Sequence, residues 1–133
     1  MSDRNRQNVD SIAEHIDAAV ASHELWKKRL LSAIETGSSE WVPRTVKTDN
    51  QCDFGRWLYA CSSEEKASPH YDVIKHRHAQ FHIEAGRVLE IALRGNRDNA
   101  IAEMAEGEGY AEISASLIDE LLNWKAELRD EKR

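Results

Sequence analysis

Residues 68–95 read SPHYDVIKHRHAQFHIEAGRVLEIALRG. Within them Tyr71, Ile74, His78, Phe81, His82, Ala85, Val88, Leu89 and Ala92 recur at steps of three and four. That spacing lays them along one stripe of a helix of 3.6 residues per turn. Ser68 offers a cap oxygen, and Pro69 takes the first helical position, where an N–H would be unpaired anyway. Gly95 supplies the stop. The stretch is therefore a long amphipathic helix with two histidines, four residues apart, on its inward face.

The same period governs the flanking sequence. Over residues 9–36 the stripe is Ile12, Ile16, Ala19, Val20, His23, Trp26, Leu30, Ala33 and Ile34. Gly37 follows, where a left-handed cap is expected. Beyond Gly95, a last helix is expected over residues 98–129. Its inward positions are Ile101, Met104, Ala105, Ala111, Ala115, Ile118, Leu121, Leu122 and Leu128, with Gly107 and Gly109 marking a bend. Residues 38–51 have no period, contain Pro43 and read as a long loop. Residues 52–61, CDFGRWLYAC, read as a short helix capped by Asp49 or Asn50, with Gly55 permitting close approach of another backbone. Three long stripes and one short one bury each other most simply in an all-α four-helix bundle. Its one short irregular helix carries a cysteine. Trp41, Trp57 and Trp124 exceed the needs of a small core and mark an expected interface.

Composition narrows the function. The chain has 133 residues, 24 acidic against 18 basic side chains, and a net charge of −6. Non-specific nucleic-acid binding needs a basic surface, so it is excluded from the expectation. Charged residues make up 32% of the chain, and no run of about 18 apolar residues exists to cross a bilayer. The polar start MSDRNRQNVDSIAEH lacks an apolar signal region, so the expected location is cytoplasmic. There, two cysteines read as ligands, redox groups or buried thiols rather than a disulfide.

Three histidines on inward stripes are costly to bury without a common partner. His78 and His82 can share one metal ion, and His23 faces them from the first helix. Cys52 lies at the mouth of the short helix, where the N-terminal dipole favours a thiolate. Three nitrogens and one sulfur suit tetrahedral zinc with no open position. Cys61 is about 180° around the helix from Cys52. His76 points away from His78, His15 lies more than about 10 Å along the axis from His23, and His70 begins its helix on the exposed side. The metal-free alternative is a helical bundle whose histidines are hydrogen-bonded in the core.

Three elements sharpen the choice. His23-Glu24-Leu25-Trp26-Lys27 matches H-x-x-W-K, Cys52 to Tyr59 matches C-x-F-G-R-W-L-Y, and His78 to Ala85 matches H-x-x-F-H-x-x-A. In this order they resemble the bacterial chemoreceptor zinc-binding (CZB) domain family, over about residues 9–128. The resemblance implies one zinc-binding helical domain across residues 1–133, with His23, Cys52, His78 and His82 as ligands. It also implies a cytoplasmic regulatory module of chemotaxis or cyclic-di-GMP signalling. Such modules respond to zinc and in some cases to oxidants, and are often homodimeric. Family members are appended to receptors or diguanylate cyclases; neither partner segment is visible here, so a stand-alone member or an excised piece is expected, with a separate signalling protein as partner. No enzymatic activity is expected. A catalytic zinc site would need an open position and a base, for which Glu24 and Glu84 are only near in sequence. The remaining alternatives are a structural zinc and a metal-free interaction module.

Overall fold

The computed structural model describes residues 3–105 and 107–132, and every regular element among them is helical. Three helices are long: α1 (Asp3–Thr36), α5 (Pro69–Leu93) and α7 (Gly109–Lys132). Each packs against the other two. Three short helices, α2 (Pro43–Val46), α3 (Asp53–Ala60) and α4 (Ser63–Lys66), pack onto them. Of these, α3 touches both α1 and α5, and α2 leans on α5. Among the described residues no helix is long and apolar enough to cross a membrane.

The stripe of α5 is buried at every position its periodicity names, from Tyr71 to Ala92. Ser68 caps it by accepting from the His70 N–H at 3.3 Å. In α1 the inward positions from Ile12 to Ile34 are likewise buried, except that Val20 is only half-buried. The short helix is close to its expected span, but Cys52 rather than Asp49 or Asn50 is its N-cap, because the cysteine sulfur accepts from the Gly55 N–H; Cys61 is its C-cap.

Three further expectations change. The final helix is two, α6 (Arg97–Glu103) and α7, broken where Gly107 adopts a φ of 89°. The break resets the phase. Leu121 and Leu128 are buried as expected, Tyr110, Leu117 and Trp124 join them, and Ile101, Ala105, Ala115 and Leu122 are exposed. The aperiodic stretch 38–51 is not all loop, because Pro43 opens α2 and Val46 is buried against α5. The tryptophans divide: Trp124 is core at 2% exposure, Trp57 is half-buried, and Trp41 lies on the surface. Trp124 is thus spent on packing and unavailable as an interface.

Candidate metal centre

The centre is assembled from the N-cap of α3 and the middles of α1 and α5. One turn before His23, the Ala19 carbonyl accepts from the Nδ1–H of its ring at 2.6 Å. On α5, the His82 Nδ1–H donates to the Val46 carbonyl of α2 at 2.9 Å. Each contact leaves Nε2 as the unprotonated nitrogen and turns it toward the other rings. His78 brings its own Nε2 to 3.0 Å from that of His82. Cys52 Sγ lies 3.3 Å from His78 Nε2 and 3.5 Å from His82 Nε2. One donor atom from each of His23, Cys52, His78 and His82 falls within 4.8 Å of the others.

The cysteine is placed by local backbone. Cys52 takes the extended N-cap conformation, φ −88° and ψ 159°, and its sulfur accepts from the Gly55 N–H at 3.3 Å. Gly55 is needed for a second reason. A Cβ there would run into the Asp49 backbone carbonyl and come within 3.2 Å of His78 Cε1. The C-x-x-G spacing therefore caps the helix and lets α3 sit against the incoming chain and the His78 ring.

The surroundings are dry. His23, His78 and His82 are each at most 3% exposed. Phe81 stands edge-on to His23 with ring centroids 4.8 Å apart, and Phe54 edge-on to His78 at 5.2 Å. Burial lowers the pKa of all three histidines, to about 4 for His23 and about 2 for His78. All three are thus neutral, as metal ligation requires. The Cys52 thiol moves the other way than its place at the helix mouth implies. Burial raises it, outweighing the backbone N–H groups of Gly55 and Phe54 that favour the thiolate. A divalent cation is what restores the charged sulfur in such a site.

The donor set fits zinc on grounds internal to the structure. Nε2 of His23 and of His82 are acceptors aimed into one space, and few donors face them. One shared cation satisfies both nitrogens, His78 and the sulfur together. His78 Nδ1 is buried with no partner, so its ring is held by packing and by the Nε2 contacts to His82 and Cys52.

The other candidates stand apart. Cys61 ends α3 at its far end, buried, with burial pushing its thiol up to about 11. His15 stacks on Trp57 at 4.6 Å, and His76 is exposed. His70 departs from expectation. Rather than lying in solvent it is half-buried, clamped by Glu120 at 2.7 Å and Glu127 at 2.5 Å on α7. Glu84 is held by Arg87 at 2.7 Å, and Glu24 is exposed. The Val46 carbonyl that orients His82 had no signal in the sequence, since a backbone acceptor in an aperiodic stretch is chosen only by folding. Ala19 had one, being the i−4 carbonyl to a buried histidine.

Residues 23–89 match the family model of the chemoreceptor zinc-binding domain, a span that contains all four converging residues. Neither curated proteins nor solved structures give a match to the chain.

Proposed function

The chain belongs to the chemoreceptor zinc-binding domain family, and we propose that His23, Cys52, His78 and His82 are its zinc ligands and that the state of this centre is the signal. It is a zinc-binding sensory domain of the kind that serves signalling proteins. The observation that carries the ligand set is the pair of backbone carbonyls, Ala19 and Val46, that turn two buried Nε2 atoms onto Cys52 and His78. Zinc, when bound, supplies a closed tetrahedral junction without an open coordination position. That chemistry favours a regulatory role over catalysis.

The residues around the junction tie α1, α3 and α5 to one point. Of these α3 is the shortest and has the least packing of its own, so it is the element that responds when the tie is lost. Cys52 is the least buried of the four. A hydroperoxide can transfer one oxygen atom to its thiolate, giving the sulfenate and releasing water or an alcohol. The sulfenate is a poorer zinc ligand, so α3 would loosen and Trp57, half-buried on it, would become more exposed. We take residues 1–133 to work as one cytoplasmic domain. We take it to form a homodimer, by far the commonest symmetric assembly, and to act on a signalling protein.

A non-denaturing mass spectrum of protein purified without chelator tests the assignment. One zinc per chain, within a dimer, is expected; protein that stays metal-free after zinc addition refutes the ligand set. Titrating the loaded protein with a hydroperoxide should release zinc in step with loss of the Cys52 thiol. Zinc retained after that thiol is consumed refutes the oxidant response alone.

A further inference from the structure

The three histidines are sealed, so the half-buried Cys52 marks the side from which the centre meets solvent. A cavity of about 220 Å³ reaches it there, lined by Cys52, His82 and Val46 and by Trp26, Arg29 and Trp41. Pockets that take drug-sized ligands start at roughly 300 Å³. This one is smaller, yet it has room for several waters. Its size fits a passage better than an organic ligand site.

Trp41 stands at that passage. It belongs to no helix, lying between Thr36 of α1 and Pro43 of α2, so it can move without breaking a helical hydrogen bond. Its ring centroid is 5.1 Å from that of Trp26, and the Arg29 guanidinium lies 4.5 Å from it and 4.9 Å from Trp26. Trp26 is buried and Arg29 half-buried, so Trp41 is the exposed member of the stack and the one that can leave it without opening the core. A second hollow, of about 300 Å³, shares Arg29 and Trp41 with the first and is completed by Ser38, Ser39 and Glu40. The indole is therefore a wall between two spaces and has room to turn into the second.

We propose that Trp41 is the gate of the zinc passage. Stacked on Arg29 and Trp26 it narrows the approach to Cys52; turned into the neighbouring hollow it widens that approach. In this role it sets the rate of zinc entry and exit but leaves the equilibrium affinity to the ligands. The proposal rests on the zinc assignment above.

The test mixes zinc-loaded wild type, Trp41→Ala and Trp41→Phe with excess coloured chelator in a stopped-flow instrument. Equilibrium competition is measured beside it. Trp41→Ala should surrender zinc about tenfold faster or more, with affinity unchanged within about twofold, and Trp41→Phe should stay near wild type. Equal transfer rates overturn the gate. So does a faster rate matched by an equal loss of affinity, because Trp41 would then support the centre. If Trp41→Ala does not fold, Arg29→Met removes the guanidinium from the stack and must itself speed transfer, or the gate is wrong. Wild type that carries no zinc would overturn the ligand assignment and the gate together, and that result is visible before any variant is compared.

Discussion

Cys52 does two jobs with one atom. Its sulfur caps α3 by accepting from the Gly55 N–H, and it faces the Nε2 atoms of His78 and His82. The jobs separate under substitution, because serine is as good an N-cap as any residue but a poor zinc ligand. Cys52→Ser should therefore keep the zinc-free fold, with unfolding free energy changed by about 0.5 kcal/mol or less. Its zinc affinity should fall by at least about 100-fold, the upper end of what losing a mere supporting contact costs. Circular dichroism in denaturant and zinc competition read the two quantities independently. Equal zinc affinity in wild type and variant would remove Cys52 from the ligand set. The histidines differ in the same residue-level way. His23 is oriented by its own helix and His82 by α2, while His78 is held by the Phe54 and Gly55 surfaces of α3.

At the level of elements, the junction of α3 with the chain entering it is the narrowest point. The Asp49 carbonyl occupies the space a Gly55 side chain would need. A backbone oxygen cannot rotate away, so Gly55→Ala must push α3 outward and carry Cys52 and the His78 wall with it. We expect this single methyl to destabilise the protein by about 1–3 kcal/mol, the usual cost of overpacking, and to weaken zinc binding as well. Thermal unfolding with and without zinc checks both effects; a variant with wild-type stability would show that α3 can shift freely. The spans of α1, α3 and α5 were readable from apolar spacing and from caps such as Ser68 and Gly37. Helix α2 was not, because four residues carry no periodicity and its place depends on contacts with α5. The inward face of α7 was read only in part: Leu121 and Leu128 are buried as expected, but Tyr110, Leu117 and Trp124 were missed. A continuous helix was carried across Gly107, where the backbone turns at a positive φ and the phase begins anew.

For the whole molecule, three neutral histidines in one core couple stability to pH. Burial lowers the pKa of His23, His78 and His82 below the ordinary 6.5 in the zinc-free fold. The unfolded chain takes up protons near 6.5 and the folded one does not, so this contribution is complete above pH 6.5 and is lost as pH falls below it. Each such histidine costs about 1.4 kcal/mol of stability one unit below 6.5. Glu90 and Glu103 act in a separate window. Lys47 and Arg87 hold their carboxyls low, so their contribution is lost only below the carboxylate value of 4.5. Urea midpoints of chelator-treated protein should therefore drop between pH 7 and pH 5, and His78→Phe should flatten the curve. A wild-type midpoint that stays level over that interval would mean the rings are solvated in the zinc-free state.

The sequence by itself determined the helical class, the long stripes of α1 and α5 and the four donor residues that meet. All of these follow from spacing along single helices and from residue chemistry. His78 and His82 must share a face whatever the rest of the chain does, and a buried His23 must find a partner. What only the tertiary structure decided is non-local. It placed the Val46 carbonyl behind His82 and the Asp49 carbonyl over Gly55. It turned Trp124 into the core, set Trp41 in the lining of the cavity that reaches Cys52, and clamped His70 between Glu120 and Glu127. Each of these joins groups far apart in the chain, through backbone atoms or side chains whose neighbours no local period specifies. Their positions follow from which helices pack together and at what depth.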